Sequence, residues 1–357
     1  MTITLPLRPE QFGELERPLL QTPRIKVTAF RYPSGVEALR LRLPRTELVV
    51  LPFRGQQVWR YQVDGEDLTM RTHFDEPAAS TVFGETYGGF LLHCGLTGIG
   101  APGPRDTHLH HGELPNAAYS EAQLEIVSGP DADELTVTGQ YRLRRSHAID
   151  VVFQPRLTLR SDRTGMEIGV LLRNLRADPF SYSYLCHINW GVGDGGVIAQ
   201  SMPLDAEHWK LAPHPGQDAV TAEYTAELDR DPAAGDRLDP ERSIVPEYCA
   251  VLRPEADAEG LAHFLLTRPD GKAASVSFET AELPYAIRWI SQTPDEQAAG
   301  FCLPSTAHHL GRVAAEADGM MRTVPGHGEV RLRVLADLLD ADRARERRAV
   351  CAQLAAG

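Results

Sequence analysis

Lysine is almost missing from this chain, which carries it only at Lys26, Lys210 and Lys272. Arginine supplies the remaining basic charge, and it is outnumbered: 49 acidic residues against 36 basic ones leave a net charge of −13. A nucleic-acid partner needs a basic face that displaces counterions, so this balance excludes one. Alanine and proline are abundant, so the preference for arginine is compositional; it still leaves many forked donors suited to hydroxyl or carboxylate groups. No run of about 18 apolar residues exists, which excludes a membrane-spanning helix. The opening "MTITLPLRPEQFGELERPLL" has no basic start followed by an apolar block, so it does not read as a signal peptide. The five cysteines (Cys94, Cys186, Cys249, Cys302, Cys351) are scattered and never form a CxxC, which points to reduced thiols in the cytoplasm. Also missing are a GxSxG elbow, a P-loop, a GxGxxG after a strand and an HExxH, the usual linear marks of hydrolases, nucleotide sites and zincins.

The pattern that is present has a period of two. "ELTVTGQYRL" puts Leu135, Val137, Gly139, Tyr141 and Leu143 on one face, "MEIGVLLRN" aligns Met166, Ile168, Val170 and Leu172, and "EVRLRVL" sends Val330, Leu332 and Val334 inward. Each predicts a half-buried strand of an antiparallel sheet. Asp64-Gly65 and Pro269-Asp270-Gly271 predict hairpins. The one clear helix is the tail "LADLLDADRARERRAVCAQLAA", with a stripe through Leu335, Leu338, Leu339, Val350 and Leu354. Two long turn-rich stretches, 84–115 and 191–246, are candidates for functional loops. With no repeat, linker or compositional break, the reading is an all-β chain: one antiparallel sandwich domain over residues 1–335, with a helical extension of the same domain over 336–357.

Four stretches carry residues able to do chemistry. In "HLHHGELPN" (108–116), His108 and His110 share a face if the segment is a strand, and His111 points to the other. That leaves open a metal site built on His108, His110 and Glu113, a sugar-binding or catalytic histidine, and a plain turn. In "NLRADPFSYSYLCHINWG" (174–191), His187, Asn189 and Trp190 form a candidate sugar subsite, the ring stacking on a pyranose and the polar groups bonding its hydroxyls. Arg54 in "VVLPFRGQQVW" can present a guanidinium at a strand end. "AGFCLPSTAHHLGR" (299–312) offers His308, His309 and Arg312.

These stretches, in this order, resemble the aldose 1-epimerase (galactose mutarotase-like) superfamily, in particular a bacterial branch labelled "aldose 1-epimerase family protein". "PFRGQQV" is similar to that branch's proline-aspartate-arginine-glycine strand, with Phe53 in place of the aspartate. "GGFLLHCGLTGIGAP" resembles its glycine-rich loop, "HGELPNAA" its His-Gly-Arg motif followed by an asparagine (Asn116 here), and "CHINWG" its "HINFG" strand. "LPSTAHHLGR" with "PGHGEVRLRV" is similar to its closing segment, and the similarity spans roughly residues 30–335.

The resemblance implies a large antiparallel β-supersandwich with a sugar site on a concave face. It implies an isomerase that opens and recloses a sugar ring, with a glutamate taking the anomeric proton and a histidine protonating the ring oxygen. By position, His187 matches the general acid, His111 the second histidine, and Arg54 the early arginine. His110, Asn116, Asn189, Trp190 and His309 are the further substrate-binding candidates. The branch pattern Glu-Pro-Ser-Thr reads Leu303-Pro304-Ser305-Thr306 here, so the base must come from elsewhere, with Glu247, Glu113 and Asp106 as candidates. The expected partner is a small carbohydrate with no cofactor. Two alternatives stay open: a metal-dependent sugar isomerase, epimerase or lyase using a divalent ion on the His108–His111 cluster, and a non-catalytic carbohydrate-binding protein. The sequence leaves the sugar and the oligomeric state open.

Overall fold

The computed structural model describes residues 2–193 and 195–356. Period-two patterning produces the expected strands. Along Met166–Asn174 burial alternates without a break, and Glu329–Leu339 keeps Leu332, Val334 and Ala336 inside. A ten-stranded sheet runs from the edge strand Thr2–Leu7 through the long hairpin Asp133–Arg145/Ile149–Arg160 to Gly196–Gln200 and Arg237–Leu238. A thirteen-stranded sheet runs from Trp209–Leu211 through Ile244–Leu252, Tyr285–Gln292, Gln297–Ser305, Phe180–Ile188 and Leu91–Leu96 to Arg17–Gln21. Pairing between named strands is antiparallel in both sheets. Both expected hairpins form; Asp64 and Gly65 take positive φ values of 53° and 83°, the conformation a two-residue turn between twisted strands requires.

The sheets face each other across one apolar core. Tyr184 of the larger sheet meets Phe153 of the smaller at 6.2 Å between ring centroids, and His93 meets the same ring at 5.4 Å. Arg288 is fully buried, donates to Gln200 Oε1 at 2.7 Å and pairs with Asp236 at 3.2 Å, so its charge is compensated where water cannot reach.

The tail differs from its expected form. Leu335, Leu338 and Leu339 belong to the strand Glu329–Leu339, in register with Ala273–Glu279 and Met166–Asn174, and the terminal helix begins only at Ala341 and runs to Ala355. Asp340 caps it by accepting from the backbone N–H groups of Asp342 and Arg343. Two free strand edges outweighed helix propensity in "LADLL". The second turn-rich stretch hides a helix, α1 (Ala219–Arg230), whose buried face is Thr221, Tyr224, Thr225 and Leu228. That stripe has helical spacing, but two threonines weaken its apolar signal, and its flanks are rich in proline and aspartate. No helix among the described residues is long and apolar enough to cross a membrane.

Candidate active site

On Phe180–Ile188 the even positions point into the core and the odd ones outward. Tyr182, Tyr184 and Cys186 join the core, whereas Leu185 and His187 face a cavity of about 630 Å³ on the outer surface of the thirteen-stranded sheet. The next strands extend the cavity floor with Leu303, Ile287, Trp289 and Glu247. Loops wall it in: Phe83 and Tyr87 from one, Gly100, His110 and His111 from a second, His214 and its flanking prolines from a third, and His309 with Leu310 from a fourth.

Four aromatic rings step from the mouth inward. Phe83 stacks on His110 at 4.9 Å, His110 on His111 at 4.8 Å, and His111 meets His187 edge to face at 5.3 Å. The backbone aims His111: it adopts φ of +57°, followed by Gly112 at +77°. A β-carbon at Gly112 would overlap the Gly95 carbonyl, so only glycine lets the loop close onto the sheet here.

The two inner histidines have defined proton positions. His187 Nδ1 lies 2.7 Å from Asn189 Oδ1. The Asn189 amide is oriented because its Nδ2 donates to the Gly89 carbonyl at 2.8 Å, so Oδ1 must accept and His187 Nδ1 must carry the proton. Tyr87 also donates to that oxygen, at 3.3 Å. His111 is the reverse: the Gly100 N–H donates to its Nδ1 at 3.3 Å, so a neutral ring carries its proton on Nε2. Burial holds the His187 imidazole down to about 4, and His110 and His309 lower it further against the rise that Asn189 provides. Burial likewise holds His111 well below the usual imidazole range, with His187 and His110 adding to the effect. Both rings are therefore neutral at pH 7.

Glu247 is the carboxylate of the cavity floor. Trp289 Nε1 donates to its Oε2 at 2.6 Å, and the Cys249 thiol to its Oε1 at 3.7 Å. A second carboxylate, Glu296, lies nearer the mouth, where His73 Nδ1 sits 2.8 Å from it. Leu303 lines the cavity between the bridges Leu185–Ser305 and Trp190–Ala299, on the strand beside His187.

The structure thus brings together His187, His111, His110, His309 and Glu247 from the sequence expectation. It does not bring in the rest. Trp190 has the parity of the core face and packs against Phe90 and Phe301, so its ring is closed to any sugar. Asn189 sits behind His187 rather than in the cavity. Asn116 is buried and accepts from Gln57, and Arg54 donates to the Ser80 carbonyl; neither lines the cavity. The segment 108–116 is a succession of turns rather than a strand, so His108 and His110 share no strand face. His108 is tucked against Gly98 with its Nδ1 bonded to the Leu109 carbonyl. Glu113 is spent on the Leu96 and Thr97 N–H groups, the Thr97 hydroxyl and Arg145. Asp106 is likewise spent, accepting from the N–H groups of Gly103 and Val313. Among the described residues no three His, Cys, Asp or Glu side chains converge as a metal group, so His108, His110 and Glu113 do not assemble the alternative ligand set.

Trp289, Tyr87, Phe83 and His214 are among the cavity residues that sequence reasoning missed. Trp289 was legible in part: "YAIRWISQ" is a strand, and Ile287, Trp289 and Ser291 share one face of it. Nothing local marked which face bore the site. A larger groove of about 1010 Å³ crosses the outer face of the ten-stranded sheet, lined by Gln140, Gln154, Arg156 and Arg333 among others. Its described lining holds no histidine, cysteine or aromatic ring.

Residues 33–336 match the family described as domain of unknown function DUF4432. The chain belongs to the DUF4432 family. Comparison of this DUF4432 protein with curated proteins finds no match. Among solved structures, a candidate aldose 1-epimerase from Klebsiella pneumoniae superposes with a TM-score of 0.84 at 15% identity, covering 99% of this chain and 95% of that one. A galactose mutarotase-like protein from Clostridium acetobutylicum gives 0.56 at 12% identity, over 89% and 98%. One from Lactobacillus casei gives 0.52 at 13% identity, over 84% and 99%. The DUF4432 chain therefore has the galactose mutarotase-like fold.

Proposed function

We propose that this protein binds a neutral sugar in the His187 cavity and interconverts its anomers, an isomerase of aldose 1-epimerase type that needs no cofactor. The observation that carries the reading is the convergence of His187, His111 and Glu247 on one cavity of about 630 Å³ in a galactose mutarotase-like fold. A volume of that size accommodates a small ligand and buries most of its surface. Trp289 and Phe83 offer aromatic faces to the apolar side of a pyranose, and Glu247, His110 and His309 offer polar groups to its hydroxyls. Among the described residues no arginine or lysine lines the cavity, so nothing there compensates a phosphate or carboxylate on the substrate.

Anomer interconversion needs a group that accepts the proton of the anomeric hydroxyl and a donor at the ring oxygen. Leu303 supplies neither, and His187, His111 and Glu247 are the inner groups able to. The test is two-dimensional exchange NMR on neutral aldoses and their phosphorylated or uronic counterparts. The expected result is exchange above the buffer rate for a neutral sugar, lowered about 10²–10⁴-fold in His187→Gln. Failure to accelerate any of a broad set of sugars removes the catalytic reading. A binding isotherm for a sugar without chemical change then supports the non-catalytic alternative, and metal found in protein purified without added metal supports the metal-dependent one.

A further inference from the structure

The two inner histidines are neutral yet not equivalent, because different hydrogen bonds fix their tautomers. On His187 the second nitrogen, Nε2, is a bare acceptor, since Nδ1–H is committed to Asn189. On His111 the second nitrogen is a donor, since Nδ1 is committed to the Gly100 N–H. The ring centroids are 5.3 Å apart and both rings line the cavity, so an acceptor and a donor face one small volume. This pairing does not suit a histidine acid working with a carboxylate base. A ring with its Nε2 lone pair exposed has no proton to give.

We propose that His187 is the sole proton carrier of this site, taking the proton of the anomeric oxygen O1 on Nε2 and returning it to the ring oxygen O5, while His111 holds O5 through its Nε2–H. The inference rests on the anomer-exchange reading above. The two oxygens are both bonded to C1, so one imidazole reaches both. As the O1–H bond breaks, its proton goes to His187 Nε2 and its electron pair forms the C1=O1 double bond. The C1–O5 bond breaks with its pair going to O5, which His111 stabilises and which then takes the proton from the His187 imidazolium. Rotation about C1–C2 and the reverse steps give the other anomer, with no net gain or loss of atoms or electrons. A neutral imidazole that protonates near pH 4 has about the basicity of an ordinary carboxylate. It therefore does the work that a glutamate at position 303 would do, and Leu303 is tolerated. A neutral imidazole as hydrogen-bond donor to a developing oxyanion has precedent in triosephosphate isomerase. Asn189 is then a positioning residue, acting through the His187 tautomer.

The titratable groups lining the cavity with His187 are His110, His111, His309, Tyr87, Cys249 and Glu247, with His214 on a loop wall and His73 and Glu296 nearer the mouth. Burial lowers His110, His111 and His309, the last to about 4, and raises Tyr87.

Two measurements on the wild-type protein decide the matter. Long-range ¹H–¹⁵N spectra of the histidine rings at pH 7, assigned by the signals lost in His187→Gln and His111→Gln, should show Nδ1–H at His187 and Nε2–H at His111. An Nε2–H tautomer or an imidazolium at His187 overturns the proposal. The pH profile of kcat/KM should be flat from about pH 5.5 to 8 and fall tenfold per unit below about 4; a rate that falls as pH rises through 5 to 8 marks His187 as an acid and overturns it equally. Asn189→Asp should move the acid limb upward by about one unit or more, which a merely structural role would not do. If no sugar is turned over, the anomer-exchange reading fails, and the ring spectra alone still decide whether the tautomer pair exists.

Discussion

Trp289 Nε1 donates to Glu247 Oε2 across 2.6 Å, joining two neighbouring strands of the larger sheet at the cavity floor. The indole therefore does two things at once. It presents a ring 5.3 Å from that of His187, and it fixes the one carboxylate of the inner cavity.

Trp289→Phe keeps a ring and removes the N–H. A hydrogen bond to a charged group contributes about 1.5–3 kcal/mol, so sugar affinity should weaken roughly tenfold or more, with kcat changed by less than about threefold. Calorimetric titration together with the exchange rate checks this. A fall in kcat with unchanged affinity would assign Glu247 a proton-transfer role instead.

Gly100 supports the donor side of the histidine pair. It has φ of +74°, and a β-carbon there would overlap the His309 carbonyl oxygen. Gly100→Ala should shift the loop carrying the N–H that holds His111, lowering activity about tenfold or more while far-ultraviolet circular dichroism stays that of the wild type. Wild-type activity in this variant would mean that the His111 contact is dispensable.

His93 is buried beside Tyr184, its Nδ1 2.7 Å from the phenol oxygen, and burial pushes its imidazole down to about 3. The unfolded chain takes up the proton near pH 6.5 and the folded chain only near pH 3, so acid favours the unfolded state. Stability attributable to this residue is largely intact above pH 6.5 and falls by roughly 2–3 kcal/mol on going to pH 4.5. Urea unfolding at both pH values should show a smaller acid loss in His93→Gln than in the wild type. Equal losses would place the proton uptake elsewhere.

Arg288 bridges the sheets with its guanidinium fully buried against Gln200 and Asp236. Arg288→Ala leaves those partners unsatisfied and should lower unfolding free energy by about 3–5 kcal/mol. Arg288→Met, which refills the volume, should cost less. The urea midpoints of the two variants give the comparison.

Much of the fold was legible because burial on one face writes a period of two into the sequence, as in "MEIGVLLRN". The helix boundary at Asp340 was not, since "LADLL" suits helix and strand equally and only the open edges beside it decided. His187, His111 and Glu247 were legible as chemically able residues, but not as neighbours, being 60 to 136 positions apart in the chain. Trp190 and Trp289 show the limit most sharply. Both follow a strand pattern, yet one fills the core and the other faces the cavity, because parity depends on which sheet face a neighbouring strand covers. The sequence alone determined that the chain forms antiparallel sheets, that it lacks a glutamate at 303, and which groups are able to exchange a proton. Only the tertiary structure decided which of those groups meet and on which nitrogen each histidine carries its proton. That is set by one hydrogen bond donated to Asn189 and one received from Gly100, which exist only once distant strands and loops are packed.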